Sequence, residues 1–285
     1  TTLKGGSFYF RSEYDSALHY FDKAIPIYQE AGILGPVASV YENMANIYTD
    51  QGNYQKGIEC YMRSLKTHEK NHNKRGMAIQ LMNIGVVHKD LDDPEEALKY
   101  FGQSLAIQEE LNYEIGQADC HLNMALIHVE AENHELALPL LDRCAEIYKT
   151  VEDKQGKALM FHSYGLIYFQ LEDYDEALSN YKQALTLQRE MEDDQNTATT
   201  LSDIGQVYMA LGQPSLAIAQ YEQAKKIGQD IGAIVPVLNA AERLSKAYQD
   251  QGNLAKSVEN YELFVQLTDS TKNEENQMAL IRQEY

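Results

Sequence analysis

Apolar residues recur along this chain at three- and four-residue spacing, and no stretch alternates as a strand does. Leu81, Ile84, Gly85 and His88 share one face of a predicted helix. The pattern breaks near Leu91-Asp92. Asp93-Pro94-Glu95-Glu96 then opens a second helix. Asp93 can cap the free amides, Pro94 suits the first turn, and the glutamates suit the positive end of the helix dipole. Ala97, Leu98, Phe101, Leu105 and Ile107 form the buried stripe of this second helix.

The same pair of helices returns every forty residues without a slip in register. The fifth place of each block is small: Gly5, Ala45, Gly85, Ala125, Gly165, Gly205 and Ser245. The seventeenth is also small: Ala17, Gly57, Ala97, Ala137, Ala177, Ala217 and Ser257. The twenty-first is large, from Phe21 and Tyr61 to Tyr261. The eighth is aromatic or histidine throughout. Small residues let two helix backbones approach, and large ones fill the gap beside them. Asn53, Asp93, Asn133, Asp173 and Asn253 share the place of a cap. Gly76, Gly116 and Gly156, or Pro36 and Pro236, mark the turn between hairpins. The expectation is an all-α stack of about seven hairpins over residues 1–272, with no internal domain boundary. Residues 273–285 read as a terminal capping helix or the start of a further truncated repeat. Phe264 stands where Ala24, Ser64, Ser104 and Cys144 stand elsewhere, so the last hairpin is expected to pack differently.

Block two reads Tyr41, Met44-Ala45, Tyr48, Gly52, Tyr54, Gly57, Tyr61 and Ser64. Block five reads Phe161, Tyr164-Gly165, Tyr168, Tyr174, Ala177, Tyr181 and Ala184. This series resembles the motif of the tetratricopeptide repeat family across essentially the whole chain. The usual period there is about thirty-four. The forty-residue period is similar to the longer-helix branch of LGN-type adaptors, kinesin light chains and bacterial peptide-pheromone receptors. The resemblance implies a right-handed α-solenoid whose first helices line a concave groove. It also implies a non-catalytic scaffold or adaptor that binds an extended peptide or protein segment there. Two alternatives stay open: a peptide-sensing regulatory domain of a longer protein, and a structural spacer in a large assembly.

Charge narrows the partner. The chain of 285 residues is 44% apolar and carries a formal charge of -19, from 24 Lys and Arg against 43 Asp and Glu. Such a field disfavours nucleic acid and anionic membranes and favours a partner with basic and apolar residues. No apolar run is long enough to span a membrane. The opening TTLKGGSFYF has neither a signal peptide's apolar stretch nor an initiator methionine, as a trimmed fragment would. Cys60, Cys120 and Cys144 form no CxxC, which fits reduced thiols in the cytoplasm. Oligomeric state stays open.

On the first helices, the third place holds Asn43, Asn83 and Asn123, then Ser163 and Asp203. It lies off the core stripe. An asparagine both donates and accepts, so a ladder at one-repeat spacing can clamp a peptide backbone. The alternative is an ordinary solvated face. Asn46, Lys89, Leu126, Phe169 and Arg243 complete the candidate contact set. Val86 and Leu166 extend an apolar track or pack locally. Asp50, Asp90, Glu130 and Asp250 share the tenth place near the expected inner edge. A lysine clamp for acidic tails would need lysine at the second place, which holds Glu42, Met82, Leu122, His162, Ser202 and Glu242.

One motif suggests catalysis. His68-Glu69-Lys70-Asn71-His72 matches HExxH, the zinc peptidase pattern. The repeat places it at the tail of a second helix, running into a turn, with no third ligand. No P-loop, GxSxG or GxGxxG occurs. The sequence therefore predicts no enzyme, metal or cofactor site.

Overall fold

The computed structural model describes the backbone of residues 2–9, 11 and 13–284, with side chains of these as far as residue 271. Fourteen helices follow one another among them. They are α1 (Thr2–Tyr9), α2 (Tyr14–Glu30), α3 (Leu34–Asp50), α4 (Tyr54–Lys70), α5 (Lys74–Asp90), α6 (Pro94–Glu110), α7 (Glu114–Glu130) and α8 (His134–Tyr148). Then come α9 (Lys154–Gln170), α10 (Tyr174–Glu190), α11 (Asp194–Ala210), α12 (Pro214–Asp230), α13 (Ile234–Asp250) and α14 (Leu254–Glu284). No strand occurs among the described residues. The capping helix or further repeat expected at 273–285 lies outside the residues whose side chains are described.

The repeat is finer than forty. Eleven of these helices are 17 residues long and are joined by turns of three. The middle residue of these turns is left-handed: Gly32, Gly52, His72, Asp92, Asn112, Glu132, Glu172, Glu192, Gly212, Gly232 and Gly252. The next residue's amide reaches back five places, as Asn73 does to His68, and closes the helix end. Side chains cap the helix that follows. Asn53, Asp93, Asp173 and Asn253 accept from the third amide of second helices, and Asn73, Asp153 and Asp193 do so for first helices. Asn133 holds the cap position without such a bond.

The turn after α8 breaks the rule. α8 ends at Tyr148, after 15 residues, and Glu152 does not take the left-handed conformation. There the contacts separate into two compact units, Thr1–Val151 and Glu152–Tyr285. Each is described by itself below.

In both units neighbouring helices pack in chain order, α1 through α8 and α9 through α14. The small-and-large columns meet as their chemistry requires. A Cβ placed on Gly85 would lie 2.7 Å from the Phe101 ring, and one on Gly165 would lie 2.5 Å from the Tyr181 ring. Only glycine admits these rings at full depth. Phe101 and Tyr181 are buried, each contributing about 1.5–3 kcal/mol of apolar burial. Ser64 and Ser104 donate to the carbonyls of Ala38 and Ala78 in the first helix of their own hairpins. Where alternate helices touch substantially, they are first helices: α1 with α3 and α5 with α7 in unit one, and α11 with α13 in unit two. A stack bends toward the side on which its helices crowd, so first helices take the inner side of each unit.

The last hairpin differs as expected. Tyr261 is 57% exposed, whereas Tyr61, Tyr181 and Tyr221 in the same column are buried. Phe264 stays half-buried beside it, with ring centroids 6.3 Å apart.

Candidate functional site

In unit one, the asparagine ladder lies on successive first helices. Asn43 on α3, Asn83 on α5 and Asn123 on α7 are all half-buried. Asn123 Nδ2 donates to the Asp119 carbonyl one turn back, at 2.8 Å, and its Oδ1 accepts no hydrogen bond among the described residues. Asn43 and Asn83 have no side-chain hydrogen bond among the described residues. A half-buried amide held in place with both functions open is ready to bond to another chain.

The remaining unit-one candidates divide. Asn46 Oδ1 accepts from the Tyr61 hydroxyl at 2.6 Å, so it belongs to the hairpin interior. Burial pushes the Tyr61 phenol up to about 12, which keeps it a donor. Lys89 is half-buried and has no ion pair among the described residues. Leu126 is half-buried, and Val86 packs against the Ala97–Phe101–Ile127 cluster. Asp50 is exposed and accepts weakly from Tyr9 at 3.4 Å.

In unit two the inner side is already bonded. Asp203 on α11 accepts from His162 Nε2 of α9 at 2.9 Å and from Arg243 Nη1 of α13 at 3.3 Å. Its side chain is only 13% exposed. Gln206, with its amide oxygen turned toward the guanidinium, accepts from Arg243 Nη1 at 2.9 Å and Nε at 3.0 Å. The sequence offers Asp203 and Arg243 as separate charges facing a partner. The fold instead spends each on the other, because residues one repeat apart stand side by side on adjacent first helices. Phe169 packs with Tyr174 of the next helix, centroids 6.0 Å apart, and belongs largely to the local core.

Other sequence candidates fall into place. His68 is buried against Gly76, and Asn73 Nδ2 lies 3.1 Å from its Nδ1. His72 lies beyond the end of α4 with φ of 51°. The two histidines of HEKNH therefore do not share a helical face, and a zincin geometry cannot form from them. Among the described residues, no group of three His, Cys, Asp or Glu is close enough to hold a metal. No helix there is long and apolar enough to cross a membrane. Cys60, Cys120 and Cys144 are buried free thiols. Burial pushes Cys120 up to about 11 and Cys144 up to about 12.

Sequence reasoning missed one feature of unit two. A cavity of about 150 Å³ lies between α9, the end of α10 and the start of α11. Its walls include Leu159, His162, Gln188, Met191, Asp193 and Thr200. The signal was in the turn column, where Asn196 stands in place of glycine or proline.

The wider comparisons agree with this architecture. No curated protein matches the sequence. Several solved structures do match it. The apo form of RapI has a TM-score of 0.76 at 19% identity, covering 95% of this chain and 97% of its own. The Rap conjugation gene regulator of the plasmid pLS20, in complex with the Phr* peptide, has a TM-score of 0.66 at 17% identity and covers 95% and 73%. The apo quorum sensor NprR from B. thuringiensis has a TM-score of 0.64 at 13% identity and covers 94% and 86%. At such identities the likeness is one of fold. A family profile described as Tetratricopeptide repeat matches residues 36–110, 77–150, 116–190 and 156–230. These spans overlap and together cover more than half of the sequence, so the chain belongs to the tetratricopeptide repeat family.

Proposed function

We propose that this chain is a non-catalytic interaction scaffold that holds an extended peptide or protein segment against the inner, first-helix side of its hairpins. The observation that carries this is the pair Asn43 and Asn83. They stand at the same place in successive repeats, half-buried, with amides that no described side chain or backbone group engages. An extended chain presents alternating carbonyls and amides, which is the pattern such a ladder reads. Asn123 continues it with its open oxygen. The chain's formal charge of -19 favours a segment carrying basic and apolar residues. The forty-residue period supports placing it in the longer-helix branch with LGN-type adaptors and kinesin light chains.

A second reading is a peptide-sensing regulatory module. It is favoured by the fold shared with a conjugation gene regulator in complex with the Phr* peptide and with the quorum sensor NprR. The two readings share the groove and differ in whether binding changes the protein's conformation.

A displayed library of random peptides tests the common part. Selected peptides bind the parent, and Asn43→Ala with Asn83→Ala weakens them about tenfold through lost amide bonds. Folded double variants that bind as tightly as the parent would remove the ladder from the interface. X-ray scattering with and without a selected peptide then separates scaffold from sensor.

A further inference from the structure

The unit-two cavity has a chemistry of its own. Gln188 and Thr200 line it and are 4% and 0% exposed. Gln188 Oε1 and Thr200 Oγ1 have no hydrogen-bond partner among the described residues. Buried oxygens without partners are costly and are satisfied in most proteins. In unit one Gln108 holds the matching place, and its Oε1 is likewise without a partner, but no space is left beside it. There Gln108 lies under Gly116, so closely that a Cβ on that glycine would meet its amide carbon at 2.5 Å. In unit two Asn196 replaces the glycine, is itself exposed, and bonds to Asp193 through both its backbone and side-chain nitrogens. Gln188 is left in the wall of a cavity.

The wall also holds the Gln155 and Asn196 amides and the Thr199 hydroxyl; Asn196 already donates to Asp193, and Thr199 to the Gln195 carbonyl. His162, in the wall, donates through Nε2 to Asp203, which also accepts from Arg243. Asp193 adds a carboxylate. Ala158, Leu159 and Met191 supply an apolar wall. The turn beside the cavity reads Glu190-Met191-Glu192-Asp193-Asp194, and Lys154 neutralises Glu190 alone, at 2.9 Å. A donor-rich cation on an aliphatic stem fits this set. The acceptors come from separate side chains on different helices rather than from one in-plane carboxylate. That arrangement suits a compact ammonium with three donors better than a planar guanidinium fork.

We propose that this cavity is the pocket for a lysine side chain of the bound segment, with the ammonium held by Gln188 Oε1 and Thr200 Oγ1 and the methylenes against Leu159 and Met191. The assignment rests on the peptide-binding reading for its biological setting and can be tested without it.

The test uses the full chain with labelled methionine methyls, titrated with Nα-acetyl-lysine N-methylamide. The expected result is saturable movement of the Met191 signal. The norleucine counterpart, which lacks the ammonium, binds about tenfold more weakly or not at all. Gln188→Leu and Thr200→Val each lower the lysine affinity while the thermal midpoint is kept or raised, since each removes an unpaired buried oxygen. Equal response to lysine and norleucine compounds would overturn the proposal in favour of a plain apolar hole. No response to any compound would overturn it in favour of a water-filled one. Tighter binding of the arginine counterpart would overturn the choice of ammonium. If lysine binds here while no library peptide is selected, the pocket stands and the peptide reading fails. If selected peptides bind Gln188→Leu unchanged and keep their residue preferences, the reverse holds.

Discussion

The inner sides of the two units carry the same repeat and use their polar residues in opposite ways. In unit one, Asn43 and Asn83 stand apart, half-buried and unbonded. In unit two, the same column holds Asp203, which is drawn between His162 and Arg243. One residue type explains much of the difference. An amide tolerates partial burial without a partner, because it carries no net charge. A carboxylate at 13% exposure needs donors, and adjacent first helices supply them from 40 and 41 residues away. A ladder position can therefore be either an open contact or an internal strut, and the side chain placed there decides.

The comparison is broken most sharply by removing Asp203. Asp203→Ala leaves Arg243 and His162 facing each other and should cost about 2–3 kcal/mol in urea unfolding. A neutral result would mean that the network is ornamental and that the two inner sides are alike. The opposite sign is expected at Gln80 in unit one. It is fully buried, with neither amide atom bonded, in a column that holds Val40, Cys120, Met160 and Ala240. Gln80→Met should raise stability by about 1–2 kcal/mol in the same assay.

Acid should act on unit one through His68 and His121. Burial lowers both from the usual 6.5; Glu42 opposes the shift at His68, and Glu109 partly opposes it at His121, where Arg143 adds to it. A folded value below the unfolded one means the unfolded chain takes up the proton first. Their contribution is complete above about pH 6.5 and is lost as pH falls through that value toward the folded pKa. Denaturation midpoints measured from pH 7.5 to 5 should fall, and less so in His68→Gln, a residue already found at the matching places 108 and 188. A parallel fall in that variant would assign the acid loss elsewhere.

Two smaller effects complete the series. Glu132 and Glu172 sit in left-handed turns with φ of 53° and 60°. Glu132→Gly or Glu172→Gly should gain about 0.5 kcal/mol in calorimetry, because glycine adopts that backbone without a Cβ penalty. Asn83→Ala should change stability by less than about 0.5 kcal/mol. A larger loss would show that the ladder is structural and would erase the contrast with Asp203.

Much of this was legible in the residues. The small column at Gly85 and Gly165, the large one at Phe101 and Tyr181, and the caps at Asp93 and Asp173 each correspond to one local requirement of a helical hairpin. The position of HEKNH at a helix end was legible for the same reason. The left-handed turn residues were less so, because His72, Asp92 and Glu132 stand where glycine stands elsewhere. The pairing of Asp203 with Arg243 and the tie of Asn46 to Tyr61 could not be read at all. Both depend on the reach of side chains across neighbouring helices, and the sequence records only their spacing.

By itself the sequence determined the repeat: where each helix begins, which face is buried, where each turn falls and that the chain belongs among tetratricopeptide hairpins. Those features follow from local rules of period, capping and side-chain size that operate within about forty residues. Only the tertiary structure decided which polar groups are left open. Whether an amide or carboxylate finds a partner depends on groups brought together from separate repeats, and on whether asparagine in place of glycine leaves a cavity beside Gln188.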